Sequence, residues 1–283
     1  SAASDVYKRQ EYEYDENGNL TKDLNKKIAV IQYNLLNLPS EVSFTEGNVI
    51  EYEYGADGRK LRTLHMVNNV TSTTDYCGNA IYENGSLKML LNESGYISFP
   101  DKKFHFYLKD HQGNIRVVAD KDGYVEETND YYPFGGLFTA STSVQPYKYN
   151  GKELDRKNGI DWYDYGARHY DPAIGRWHVV DPMSKKYYSW SPYTYCKNNP
   201  VLRIDLDGKD DYIVSETGRL TRLNVPTETD ILYTYSGDSK NPKGGNKIEM
   251  TEKGLLEEMV KVQQSHNLSL IHISEPTRLA LIS

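Results

Sequence analysis

From Glu11 onward, apolar and polar residues alternate in short runs, and the runs end at turn-forming residues. Tyr12-Glu13-Tyr14 and Ile50-Glu51-Tyr52-Glu53-Tyr54 have the two-residue period of a strand with one buried face. Asn17-Gly18, Leu36-Asn37 and Asp57-Gly58 follow such runs. Asn-Gly and Asp-Gly favour tight two-residue hairpin turns, because both central residues tolerate positive φ. Tyr14, Tyr33 and Tyr54 recur at spacings of 19 and 21 residues, so the unit is strand, turn, strand, stacked on its neighbour. An ordinary meander with chance spacing is the simpler alternative. The pattern continues less regularly. Tyr76–Asn79 and Ile81–Gly85 predict a hairpin, Lys103–Asp110 a strand, His111–Asn114 a turn, Ile115–Ala119 a strand, and Asp122-Gly123 a turn into Tyr124–Glu127. Phe138–Gln145 is Ser/Thr-rich and reads as a loop.

Tyr147–Lys209 is punctuated more densely still. Trp162–Tyr170 reads as one aromatic–polar strand with a bulge at Gly166. Asp171–Gly175 is a turn, Arg176–Val180 the next strand, and Asp205-Leu206-Asp207-Gly208 closes the stretch. Asp210–Val225 reads as a hairpin turning at Glu216–Gly218, and Asp238–Asn246 as a loop. Thr251–Asn267 is the one stretch with a helical period: Leu255, Leu256, Met259 and Val260 share a face, and Thr251 stands at its N-cap. The fold class expected is mainly β, with a small α+β segment at the C-terminal end.

Composition sharpens this. The chain holds 25 Tyr against 6 Phe and 3 Trp. Tyr suits strands and can keep its hydroxyl wet while its ring packs, which predicts extensive sheet without a thick aliphatic core. A net charge of −7 argues against nucleic acid as the main partner, since phosphate binding needs clustered cations. No apolar run approaches membrane-spanning length. Cys77 and Cys196 fit no metal spacing and pair only if the fold joins them. His105 and His111, without a carboxylate at ligand spacing, read as surface or packing residues, so neither metal nor other cofactor is expected.

GKELDRKNGIDWYDYGARHYDPAIGRWHVVDP, followed by NNPVLRIDLDG, resembles the RHS repeat-associated core domain of the RHS/YD-repeat toxin family, and the tyrosine repeats before it resemble YD repeats. The resemblance implies that the repeats form part of a hollow β shell and that the core closes one end as an inward-spiralling plug. Many members cut their own chain with one Arg and two Asp, after Asp-Pro-x-Gly and an apolar residue. Carried over residue by residue, these are Arg168 in GARHYDP, Asp181 in VVDP and Asp205 in IDLDG, with the cut after Lys209, between Gly208-Lys209 and Asp210. Two converging carboxylates cannot easily both ionise, and one that keeps its proton lets the pair activate water against an amide. Read from spacing alone, both aspartates are also ordinary turn caps and Arg168 an ordinary ion-pair partner. The sequence departs from the family pattern at two places. Leu206 replaces a proline that would fix φ, and Lys209 puts a charge where an apolar side chain would dock.

The organisation expected is therefore 11–146 as repeat sheet, 147–209 as core and 210–267 as the start of a variable, truncated effector-like region. SAASDVYKRQ (1–10) and the last sixteen residues (268–283) resemble translated sequencing-adapter sequence. The resemblance implies a secreted or cell-surface protein of bacterial competition. Its partners would be its own C-terminal effector segment and the upstream repeats. The alternative is a non-cleaving surface protein whose tyrosine faces bind a glycan or another protein.

Overall fold

The computed structural model describes residues 11–138, 143–187, 189–215 and 219–222, together with three short strands of the remaining chain. Thirteen strands form one open antiparallel sheet in strict sequence order. They are β1 (Tyr12–Tyr14), β2 (Leu20–Asp23), β3 (Ile28–Tyr33), β4 (Pro39–Phe44), β5 (Val49–Tyr54), β6 (Lys60–Val67), β7 (Val70–Cys77), β8 (Ala80–Glu83), β9 (Ser86–Asn92), β10 (Gly95–Ser98), β11 (Lys103–Lys109), β12 (Ile115–Asp120) and β13 (Val125–Thr128). The mainly β class expected from the alternation is what the chain adopts. The expected helix Thr251–Asn267, and nearly all of the loop before it, lie outside the described residues. Of the two terminal stretches only Ser269–Ile273 is described, paired with Asp230–Tyr235, which also pairs with Asn246–Met250.

The repeat turns differ from expectation. Asn17 and Asp57 do not take positive φ; only Gly18 (+78°) and Gly58 (+81°) do. In the β1–β2 connection, Gly18 N–H donates to the Asp15 carbonyl and Asp15 N–H to the Asn19 carbonyl. This is a three-residue loop with a left-handed residue at its end, not a two-residue turn. The reason is the side chain that starts it. The Asp15 Oδ1 accepts from the N–H groups of Asn17 and Asn19. Asn34 repeats this on Leu36 and Leu38, Asp110 on Gln112 and Asn114, and Asp120 on Asp122 and Tyr124. Captured this way, the first two loop residues keep negative φ, and the third alone crosses to positive φ. True two-residue turns with both φ positive do occur at Asn68-Asn69 and Asn84-Gly85.

One face of the sheet is packed. Leu20, Ile28, Ile31, Val42, Phe44, Ile50 and Tyr52 form a cluster with Ile160 and Trp162, which come from the later part of the chain. That part holds a second sheet of β14 (Glu153–Asp155), β15 (Trp162–Asp164), β16 (His169–Asp171) and β17 (Arg176–Trp177), and a third of β18 (Arg203–Asp205), β19 (Asp211–Val214) and β20 (Leu220–Arg222). Polar anchors join it to the repeats. Lys60 on β6 reaches Glu153 at 2.8 Å and Asp164 at 2.7 Å, and Lys26 reaches the buried Asp171 at 3.0 Å. Tyrosines 149, 163, 165, 170 and 195 are buried together with Trp177. Their hydroxyls are not wet, as composition suggested. Tyr149, Tyr163 and Tyr170 donate to the carbonyls of Pro133, Gly135 and Phe134, while Tyr165 and Tyr195 share the Asn150 side chain. A polar tip with a defined acceptor makes tyrosine a packing residue here.

Two local readings change. Trp162–Tyr170 is a hairpin rather than one strand, with Tyr163 opposite Tyr170 and Asp164 opposite His169. Gly166, at φ +92°, does not bulge a strand; it turns it. His105 has a carboxylate partner after all. Its Nδ1 lies 2.5 Å from Glu126, its Nε2 2.9 Å from Ser98, and its ring stacks on Tyr96. It is a packing residue, whereas His111 is exposed. Cys77 is exposed, Cys196 is buried, and both are free thiols. Among the described residues no group of His, Cys, Asp or Glu has metal-holding geometry, and no helix is long and apolar enough to cross a membrane.

Candidate active site

Two turns clasp each other to make the site. The β15–β16 turn closes with Tyr165 N–H donating to the Arg168 carbonyl, which leaves Arg168 at its end. The turn after β18 is organised by Asp205, whose Oδ1 accepts from the N–H groups of Asp207 (3.1 Å), Gly208 (2.7 Å) and Lys209 (3.3 Å). Ala167 N–H then donates to the Asp207 carbonyl, and Arg168 Nε to the Gly208 carbonyl at 2.6 Å. Gly208 sits at φ +78°, and a Cβ there would meet the Arg168 backbone nitrogen at 2.9 Å, so both φ and close approach call for glycine.

Arg168 is 2 % exposed. Its guanidinium stacks 4.1 Å over the Trp177 ring, and Nη1 donates to the Pro192 carbonyl. Nη2 faces both candidate acids, 3.4 Å from Asp181 Oδ2 and 3.5 Å from Asp205 Oδ2. Asp181 uses its other oxygen as a turn cap, accepting from Met183 N–H at 2.7 Å. The alternatives that spacing left open are thus not exclusive. In each aspartate Oδ1 caps a turn, and that bond aims Oδ2 at the shared arginine.

Burial sets the protonation. It pushes Asp205 up to about 7, against the pull of Arg168. It also raises Asp181, again opposed by Arg168. Asp205 therefore still carries its proton over part of the neutral range, and a protonated carboxyl beside an ionised one is the state in which one donates while the other accepts. Cys196 lines the same space, but burial drives its thiol well above the ordinary value, so it stays protonated and is no nucleophile. A cavity of about 30 Å³ lies among Arg168, Asp181, Cys196, Asp205 and Lys209, room enough for a water molecule.

Of the residues around the expected cut, Gly208 and Asp210 are buried and Lys209 is exposed. Leu206 is 38 % exposed, so neither departure from the family pattern is buried. Sequence reasoning missed Trp177 as the platform for Arg168, and Tyr187, whose hydroxyl donates to Asp210 Oδ1 at 2.7 Å. Each lies too far along the chain from its partner for spacing to signal the contact.

No family model matches the chain. Similar proteins are found by sequence and by fold. Salivary gland surface protein 1 of Aedes aegypti is 32 % identical over 225 residues, 69 % of this chain. Toxin subunit YenC2 of Yersinia entomophaga is 36 % identical over 98 residues, 32 % of this chain, and the tRNA nuclease WapA of Bacillus subtilis is 29 % identical over 215 residues, 73 % of it. The chain spans only 6 %, 10 % and 8 % of the lengths of these three. Among solved structures, the TcdB2–TccC3–Cdc42 complex matches with a TM-score of 0.59 and 21 % identity over 69 % of this chain and 11 % of that one, which speaks to the fold. Tyrosine-bearing strands in sequence order, short strands packed on them and toxin subunits among the relatives agree with the motif run over 151–208: the chain belongs to the RHS toxin family.

Proposed function

We propose that this chain is the closing end of a longer RHS polypeptide that cuts itself between Lys209 and Asp210, freeing a downstream effector in bacterial competition. The repeats would continue upstream into a shell, with the core of 147–209 as its plug and the polypeptide acting outside the cell or at its surface. The observation carrying this reading is the convergence of Asp181 and Asp205 on one nitrogen of Arg168, around a water-sized cavity that Lys209 also lines. In the mechanism, Asp181 takes a proton from water and the water oxygen adds to the Lys209 carbonyl carbon. Protonated Asp205, the more strongly shifted acid, donates to the developing oxyanion, and Arg168 stabilises the charge between them. Collapse re-forms the carbonyl as Asp205 takes its proton back, the C–N bond breaks, and Asp181 returns the proton it took from water to the departing Asp210 nitrogen.

A second reading, an uncut surface protein that binds glycan or protein, draws on the exposed Lys209 and on the departure at Leu206. Intact mass of the purified chain beside Asp205→Asn separates the two. A fragment beginning at Asp210 in the wild type, absent from the variant, supports self-cleavage. One uncut mass in both supports the surface protein and removes the proteolytic reading.

A further inference from the structure

The residues on the two sides of the proposed cut are held together by more than the peptide bond. Asp210 and Asp211 are 7 % and 8 % exposed. The Tyr187 hydroxyl donates to Asp210 Oδ1 at 2.7 Å. Asp211 is gripped twice, with Lys197 Nζ 3.3 Å from Oδ1 and Arg203 Nη1 2.5 Å from Oδ2. Lys197 also lies 4.7 Å over the Tyr187 ring, so the grips on Asp210 and Asp211 are joined through these two residues. They all come from before the cut, and both aspartates come after it.

The backbone repeats the division. β18 precedes the cut and β19 follows it, and they pair antiparallel with Arg203 opposite Ile213, Ile204 opposite Tyr212 and Asp205 opposite Asp211. Val214 N–H adds a bond to the Leu202 carbonyl. Lys197 is delivered by an uncommon turn in which Cys196, Lys197 and Asn198 all have positive φ, at 47°, 51° and 57°. Side-chain-bearing residues avoid that region, and three in series persist only where the surroundings hold them there.

We propose that the core is also a binding site for its own product: a clasp of strand β18, Tyr187, Lys197 and Arg203 that holds a downstream segment with acidic residues at its first two positions. Hydrolysis adds water across the Lys209–Asp210 bond, leaving a carboxylate on one residue and an ammonium on the other, and breaks none of these contacts. Cutting and release are then separate events, and the strand pair must peel apart before the effector segment leaves. The inference rests on the self-cleavage reading for when the clasp acts, while its contacts exist in the uncut chain.

The test uses the full chain, the double variant Lys197→Gln/Arg203→Gln, and Asp211→Asn as a milder change on the other partner. Cleavage is read by mass under denaturing conditions and retention by native size exclusion. Two masses that co-elute natively in the wild type, and separate in the double variant, are the expected result. Fragments that separate in the wild type, or still co-elute in the double variant, overturn the clasp and leave cleavage standing. If denaturing mass shows one chain, self-cleavage has failed, and the clasp is read from amide hydrogen exchange over 211–214. Exchange about tenfold faster for each ion pair lost supports it, and exchange unchanged by either variant overturns it.

Discussion

The most exacting consequence of the site is the pH dependence of the cut. With Asp205 at about 7 and Asp181 raised less strongly, the competent state has Asp205 protonated and Asp181 ionised. Above pH 7 Asp205 loses the proton it must donate, so the rate should fall about tenfold per pH unit. Toward acid Asp181 becomes protonated, the base is lost, and the profile is bell-shaped. Arg168 sets where the bell lies. At 3.4 and 3.5 Å its charge favours each carboxylate, by about 5 kcal/mol for a pair at an effective dielectric near 20. That figure is an upper bound, equivalent to roughly three and a half pH units. Arg168→Gln removes the charge that opposes burial at both carboxyls, so both should rise further, the ionised base at pH 7 be depleted, and the cut slow there. Asp205→Asn keeps a cap for the three N–H groups but removes the proton donor, and should slow the cut by about 10² to 10⁴. The assay is refolding of the denatured, uncut chain by dilution into buffers from pH 4 to 10, with timed quenching and the cut fraction read by mass. A rate that keeps rising above pH 8, or an Arg168→Gln chain that cuts at the wild-type rate at pH 7, would refute this assignment of roles.

Two further outcomes follow from buried charge away from the site. Lys148 and Glu127 form an ion pair 1 % and 0 % exposed, which fixes the start of the core to β13. Lys148→Met should cost about 3–5 kcal/mol, because it leaves the buried Glu127 carboxylate hydrogen-bonded to Asn129, Val144 and Gln145 but without a counter-charge, whereas Glu127→Gln/Lys148→Met should recover much of that. Urea unfolding followed by the fluorescence of buried Trp162 and Trp177 measures both, and a single variant costing as little as the double one would contradict the argument. His178 is buried against Trp162 with neither ring nitrogen hydrogen-bonded, and burial holds it well below its ordinary value. A base depressed by folding contributes stability that is present above the unfolded value near 6.5 and lost as pH falls below it. Acidifying from pH 7 to 5 should therefore cost about 2 kcal/mol through this residue. His178→Leu should flatten that part of the stability–pH curve, and an unchanged slope would show that the imidazole is not held neutral.

Much of the fold was legible in the sequence, because strands and turns are specified over a few residues. The alternation in Ile50–Tyr54 places Ile50 and Tyr52 inward, and β5 buries those two. Gly113 and Gly123 stand where the chain must reverse, and both take positive φ. The turn type was less legible, because Asn17-Gly18 read by itself favours a two-residue turn. The Asp15 side chain, two residues before it, decides otherwise. Gly166 marked a break in alternation, but a bulge and a reversal have the same local signature. The choice between them comes from the pairing of Tyr163 with Tyr170.

For the site, the chain's local chemistry set which side chains are available: one arginine in GARHYDP, and two aspartates each followed by turn residues, because capping chemistry is local. It also includes the glycine at 208, which the clasped turns require. Long-range packing brought the free oxygens of Asp181 and Asp205 to one guanidinium nitrogen. It also decided that Trp177 supports that guanidinium and that Lys197 and Arg203 converge on Asp211. Burial decided the rest. A carboxyl in water titrates as its residue type dictates, but Asp205 reaches about 7 only because some forty residues separate it from Arg168 in the chain and the fold removes water from the space where they meet.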